Sequence, residues 1–115
     1  MPDNVIDQPT FQSLKEMSGA DFMPELIDTF LDDAPHMLEE LARSRDAGDV
    51  EAFRRTAHSL KSNCKTFGAL EMAEQARELE FLARENRLSD VGDKLDRLTV
   101  QYQAVAAALK GLRDG

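Results

Sequence analysis

The sequence predicts an all-α fold, an antiparallel four-helix bundle with a short additional N-terminal helix. Three observations lead there. Apolar residues recur at steps of three and four along several stretches, as on a helix with one buried face. No stretch shows the two-residue alternation and β-branched enrichment of a strand. Ala, Leu, Glu and Arg dominate and Trp is absent, and the stretches are joined by short connections. With 115 residues, one domain is the expectation, since domains usually run to about 100–150 residues.

Residues 1–6 are expected to be a flexible tail and residues 7–113 the single bundle domain. Asp7 can cap the first helix, and Pro9 falls where a missing N–H costs least. Phe11, Leu14 and Met17 follow, and Ser18-Gly19-Ala20 ends it. The second helix is expected to start at Asp21 as N-cap with Pro24 in its first turn. Its stripe is Met23, Leu26, Ile27, Phe30, Ala34, Met37, Leu38 and Leu41. Pro35 lies inside this pattern and should kink the helix without ending it, because the stripe continues in phase.

The third helix spans Val50 to Phe67, with Val50, Phe53, Ala57, Leu60, Cys64 and Phe67 on its stripe and Gly68 as a C-terminal cap or tight turn. The fourth carries Ala69, Met72, Ala73, Ala76, Leu79 and Ala83 and ends near Asn86. Ser89 or Asp90 can cap the fifth, whose stripe of Val91, Leu95, Leu98, Tyr102, Val105, Leu109 and Leu112 is the most regular in the chain. A coiled-coil dimer on the fifth helix is the rival architecture. It is disfavoured because the other stripes also need partners within the same chain, and a monomer is expected.

The formal net charge of −8 argues against general nucleic-acid binding, which draws its affinity from Lys and Arg on phosphates, and against docking on an anionic membrane. The single cysteine, Cys64, allows no intrachain disulfide and no four-cysteine zinc site. It falls on a buried stripe and reads as a core residue. No apolar run approaches the ~18–20 residues that span a bilayer. Met1-Pro2-Asp3-Asn4 lacks the basic start of a signal peptide, so a cytoplasmic location is expected. There is no phosphate-binding Gly-rich loop for ATP and no His/Cys spacing for a metal. Met17, Met23, Met37 and Met72 sit at core phase and need no cofactor.

The two histidines differ in their neighbours. At ~100° per residue, His58 lies roughly 130° and His36 roughly 150° from the stripe of its own helix, so both should face solvent. His36 sits among Asp32, Asp33, Glu39 and Glu40. His58 sits among Arg54, Arg55, Lys61 and Lys65, with no acidic residue from Phe53 to Phe67. With −8 overall and +4 here, the rest of the chain carries −12. Ser59, Ser62 and Asn63 keep the surroundings of His58 small and polar, and a neutral imidazole keeps a lone pair for nucleophilic attack.

The run Ala57-His58-Ser59-Leu60-Lys61-Ser62-Asn63, followed by Phe67-Gly68-Ala69, resembles the signature of histidine-containing phosphotransfer (HPt) domains. That family carries His-x-x-Lys on a helix, then small residues, then Gly about ten residues after the His. Phe30-Leu31-Asp32-Asp33-Ala34-Pro35 and Leu79-Glu80 are also similar to family segments. The resemblance implies that His58 carries a phosphoryl group and that Lys61 offsets its charge. Ser62 stands where the family most often has Gly, and Gly68 turns the chain. It further implies partners: response-regulator receiver domains and a hybrid sensor histidine kinase, with Mg²⁺ supplied by the receiver and no cofactor bound by this chain.

The expected function is therefore a phosphorelay intermediate that accepts a phosphoryl group on His58 from a receiver aspartate and passes it to another receiver. It is a carrier and not an enzyme. Because receiver active sites are acidic, Arg54, Arg55, Ser62, Lys65 and Gly68 are expected to form the docking surface. The alternative is a helical interaction module or dimerisation bundle without phosphoryl chemistry. One further contact follows from register. A hairpin turning near Gly68 and Ala69 sets residue n opposite about 138 − n, so His58 faces Glu80 and Lys61 faces Arg77. Glu80 could then accept a hydrogen bond from one ring nitrogen, or pair instead with Arg84 or Arg77 on its own helix.

Overall fold

The three-and-four periodicity is expressed as helix throughout. In the computed structural model, which describes residues 5–114, the chain forms α1 (Gln8–Ser18), α2 (Met23–Ala47), α3 (Val50–Phe67), α4 (Leu70–Arg84) and α5 (Gly92–Asp114), with no strand among those residues. The packing order is a closed ring in which α2 meets α3, α3 meets α4, α4 meets α5 and α5 returns to α2. The largest interface lies between α3 and α4, and α1 lies against α3.

Local chemistry sets the boundaries. The Asp7 carboxylate caps α1 by accepting from Thr10 N at 3.1 Å. The Asp49 carboxylate caps α3 by accepting from Ala52 N at 3.1 Å. Gly48 and Gly68, at φ +71° and +85°, close α2 and α3 in the left-handed conformation that glycine adopts without a steric penalty. After Gly68 the Ala69 N–H donates to the Cys64 carbonyl at 2.8 Å, and α4 begins at the next residue. This two-residue hairpin makes α3 and α4 antiparallel neighbours.

Pro35 lies inside α2, and the helix runs on through it. Proline has no N–H, so the carbonyl four residues back, that of Leu31, loses its helical donor. The Tyr102 hydroxyl of α5 donates to that carbonyl at 3.4 Å. The Tyr102 ring lies 6.3 Å from Phe30, which in turn lies 5.2 Å from Phe67, so three aromatic rings link α2, α3 and α5. Ile27, Leu41, Phe53, Leu60, Met72, Leu79, Leu98 and Leu109 are fully buried between the helices. The α5 stripe is used within this core, which removes the basis for a coiled coil built on it.

Several expectations need correction. Residues 1–4 of the expected tail lie outside the described residues, but Val5 is half-buried and Ile6 is buried in the core. The reason is a backbone bond from Asp7 N to the Gly68 carbonyl at 2.7 Å, which pins this segment across the α3–α4 turn. Met17 is 84% exposed. Steps of three drift by about −60° each, so Met17 has turned roughly 120° away from Phe11, which is buried. Asp21 does not cap α2. It lies in a 3-10 turn, Ala20–Phe22, and Phe22 occupies the cap position with no side-chain bond. Ser89 and Asp90 likewise lie in a 3-10 turn, Leu88–Asp90, where the Asp90 carboxylate accepts from Arg87 Nε. α5 instead starts from Val91, whose carbonyl accepts from Leu95 N at 2.8 Å. Leu112, in the last turn, is partly exposed.

Candidate functional site

The α3–α4 hairpin builds the site. On α3, Lys61, Ser62, Lys65, Arg54 and Arg55 all fall within about 60° of His58 around the helix axis. The periodicity that buries Phe53, Ala57, Leu60 and Cys64 turns these residues outward. On α4, Glu80 sits opposite His58, as the antiparallel register predicts.

His58 Nδ1 and Glu80 Oε2 are 2.9 Å apart. An ionised carboxylate only accepts, so Nδ1 carries a proton, and in the neutral ring Nε2 is the nitrogen with the free lone pair. The His58 side chain is 55% exposed, whereas that of Glu80 is only 4% exposed. Two cations complete the cluster. Lys61 Nζ is 2.9 Å from Glu80 Oε1, and Arg84 Nη2 donates to Glu80 Oε2 at 2.9 Å. Burial alone would push the Glu80 carboxyl up, but hydrogen bonds from Lys61 and His58 outweigh it and hold the carboxyl below its ordinary value.

Both pairings considered for Glu80 therefore occur together. It takes His58 from the facing helix and Arg84 from its own. Lys61 and Arg77 line one groove between the facing helices, as register suggested, but their side chains pair elsewhere. Two cations have no reason to face each other, and each finds a carboxylate: Lys61 pairs with Glu80, and Arg77 pairs with Glu74 on its own helix. Between them, with Lys65, Leu70 and Ala73, runs a surface groove of about 220 Å³.

The remaining predicted residues separate into two groups. Arg55, Ser62 and Lys65 are exposed, and Arg54 is half-buried and paired with Glu51 at 2.5 Å. Gly68 is buried and cannot belong to a docking surface, because Asp7 and Thr10 cover it. Its part is the tight turn. His36 is exposed on α2, with Nδ1 3.9 Å from Glu39 Oε1. Cys64 is buried, and burial pushes its thiol up to about 12, so it is a core residue and not a nucleophile. Among the described residues no cluster of three or more His, Cys, Asp or Glu side chains is placed to hold a metal ion.

Sequence reasoning did not pick out Leu70 and Phe81, which stand 46% and 49% exposed on α4. Leu70 lines the groove beside Lys61 and Lys65, and Phe81 follows Glu80 directly. The available signal was that both are large apolar residues lying off the stripe of α4.

Several known proteins are similar to this chain. The Hpt domain family model matches residues 25–110. A phosphorelay protein LuxU of Vibrio vulnificus is 30% identical over 104 residues, covering 87% of this chain and 90% of that protein. The LuxU of Vibrio harveyi is 27% identical over 92 residues, covering 80% of this chain and 81% of that protein. The crystal structure of histidine-containing phosphotransfer protein B (HptB) from Pseudomonas aeruginosa superposes with a TM-score of 0.90 at 31% identity, over 99% of this chain and 97% of that one.

Proposed function

The chain belongs to the Hpt domain family and is a histidine phosphotransfer protein of a phosphorelay, and from that premise we propose that His58 is the residue that carries the phosphoryl group. One observation supports the assignment above the rest. The exposed ring of His58 is anchored through Nδ1 on a buried carboxylate, which leaves Nε2 as the nucleophile. His36, exposed on α2 and 3.9 Å from the solvated Glu39, has no such anchor.

The reaction is a substitution at phosphorus. A receiver aspartyl phosphate approaches His58, the Nε2 lone pair forms the N–P bond, and the P–O bond breaks with its electron pair returning to the aspartate. Nδ1 keeps its proton, so the phosphorylated ring becomes cationic, and Glu80 faces that charge. Lys61, one turn along α3, neutralises the phosphoryl oxygens. Transfer of this kind depends on positioning and on charge neutralisation. Reversal of the same steps delivers the group to another receiver.

Hpt proteins act with receiver domains and kinases. For this chain we assign a hybrid sensor kinase upstream and a monomeric carrier. Arg54, Arg55, Ser62 and Lys65 offer a basic docking face to an acidic receiver, and the receiver supplies Mg²⁺. The chain acts as a carrier with no ATP site of its own. No helix among the described residues is long and apolar enough to cross a membrane, and a cytoplasmic location suits this work.

The test is transfer of label from a phosphorylated receiver. Label on the wild type should survive alkali and be lost in acid, as a phosphohistidine is. His58→Gln should abolish it with helicity intact, and His36→Gln should leave it unchanged. Loss of label in His36→Gln with retention in His58→Gln would overturn the assignment. A wild type that takes label from no receiver would favour the interaction module without phosphoryl chemistry.

A further inference from the structure

Glu80 receives three donors on two oxygens, and they are not equivalent. Lys61 holds Oε1 by itself, whereas His58 Nδ1 and Arg84 Nη2 share Oε2. The reading of His58 as phosphate carrier, on which this inference rests, makes a demand on Lys61. To neutralise a phosphoryl group on Nε2, its ammonium must turn from Glu80 toward the new charge. Lys61 has a single nitrogen that cannot serve both anions fully. When Lys61 turns, Oε1 of the nearly buried Glu80 loses its donor, which is unfavourable even with the phosphorylated ring still at Oε2.

Arg84 meets this need. It lies one turn beyond Glu80 on α4, its side chain is 62% exposed, and it already donates to the carboxylate. Its planar guanidinium carries five N–H donors and can bind both carboxylate oxygens, which an ammonium cannot match. We propose that Arg84 is a positioning residue that holds the Glu80 carboxylate while Lys61 turns from Glu80 to the phosphoryl group on His58. Arg84 touches neither the reacting nitrogen nor phosphorus. It acts through Glu80, which stays paired at every stage and remains opposite the phosphorylated ring.

The test uses the whole chain and a small donor, phosphoramidate, so that receiver docking plays no part. The Nε2 lone pair forms the N–P bond as the donor's own P–N bond breaks, and the amine leaves as ammonia with a proton from solvent. The rate at His58 is followed by intact mass and peptide mapping in wild type, Arg84→Gln, Glu80→Gln and the double variant. Arg84→Gln should slow phosphorylation by about tenfold in the wild-type background and by less than about twofold in Glu80→Gln, because a neutral amide needs no counter-ion. Arg84→Lys, which keeps the charge, should recover part of the loss.

A second readout is the ¹⁵N NMR signal of His58 in the unphosphorylated protein. Lys61 still holds Glu80 at rest, so Arg84→Gln should leave the Nδ1–H tautomer in place. Equal slowing in both backgrounds would mean that Arg84 acts on the donor directly and would overturn the proposal. So would unchanged kinetics in Arg84→Gln, or loss of the resting tautomer in that variant. A wild type that phosphorylates nowhere or only at His36 sinks the underlying assignment of His58 instead, which is a different result from labelled His58 with no coupling.

Discussion

The hydroxyl of Tyr102 on α5 donates to the carbonyl of Leu31 on α2 at 3.4 Å, and that carbonyl is the one left without a helical donor by Pro35. A side chain 71 residues away thus compensates a break that proline makes in its own helix. The bond is long, and its contribution is at the low end for a neutral pair.

Tyr102→Phe is expected to lower stability by about 0.5–1 kcal/mol. The loss should shrink in a Pro35→Ala background, where a restored N–H at position 35 satisfies the same carbonyl. Urea unfolding of the four proteins measures the coupling, and equal losses in both backgrounds would refute it. Tyr102 is the only tyrosine and there is no tryptophan, so its ultraviolet titration is uncontaminated. Burial, and then the Asp32 charge, raise its phenol above the ordinary value of 10. The midpoint should fall above 10, and stability should decline as pH rises through it.

Glu80 gives the acid limb a testable sign. Its folded carboxyl lies below the ordinary 4.5, the donors outweighing burial, so its contribution is fully present above 4.5 and is lost as pH falls through the folded value. Glu80→Gln should therefore cost about 1–3 kcal/mol at neutral pH. The gap to wild type should close as the pH drops below 4.5. Denaturant midpoints at several pH values read this directly, and a gap that stays constant to pH 3 would contradict the assigned pairing.

Gly68 is required twice over. Its φ of +85° strains any residue with a Cβ, and that Cβ would sit 2.8 Å from the Asp7 carbonyl oxygen and 3.2 Å from Thr10 Cβ. Backbone cannot yield as a flexible side chain can. Gly68→Ala is expected to cost about 2–4 kcal/mol. Thermal or urea unfolding tests this, with a loss below about 1 kcal/mol counting against a fixed contact between the N-terminal segment and the hairpin turn.

How much of this was readable in advance depends on whether one helix or several determine a feature. The bounds of α3, Val50 to Phe67, follow from its own apolar period and the flanking Asp49 and Gly68. The meeting of His58 and Glu80 needs only the length of the hairpin turn in addition. What escaped depends on third parties. Gly68 looked available for docking because nothing in its own hairpin covers it. The cover comes from Asp7 and Thr10, 61 and 58 residues earlier in the chain. Ile6 escaped for the same reason. Register set Lys61 opposite Arg77 but missed its pairing with Glu80, because backbone register fixes where a side chain starts and not where a long flexible one ends. Asp21 and Asp90 are good capping residues by type, but each lies in a 3-10 turn that shifts the start of the following helix.

Cys64 should behave as a packed apolar group. With the thiol pushed up to about 12 and no exposed surface, alkylation by iodoacetamide at pH 8 should be undetectable in the folded protein and complete after denaturation. Ready alkylation of the native chain would show that α3 opens on that timescale.

Lys61 offers the most direct measure of how the site handles charge. Its ammonium rests 2.9 Å from Glu80 Oε1 with its side chain 22% exposed, one turn from His58 on the same face of α3. The incoming phosphoryl group brings roughly two negative charges to His58. A charge-assisted hydrogen bond is worth about 1.5–3 kcal/mol, so Lys61→Ala should slow transfer from a phosphorylated receiver by about ten- to a hundredfold. Glu80 keeps His58 and Arg84 in that variant, so the bundle should stay folded by circular dichroism. Glu39→Ala is the matched control. Glu39 is 82% exposed on α2 beside His36 and touches nothing at the site, so its removal should change the transfer rate by less than about twofold. Raising the salt concentration should weaken charge-driven receiver docking. A rate difference between Lys61→Ala and Glu39→Ala that persists in high salt therefore reports the chemistry at His58, and one that vanishes would place Lys61 in docking alone.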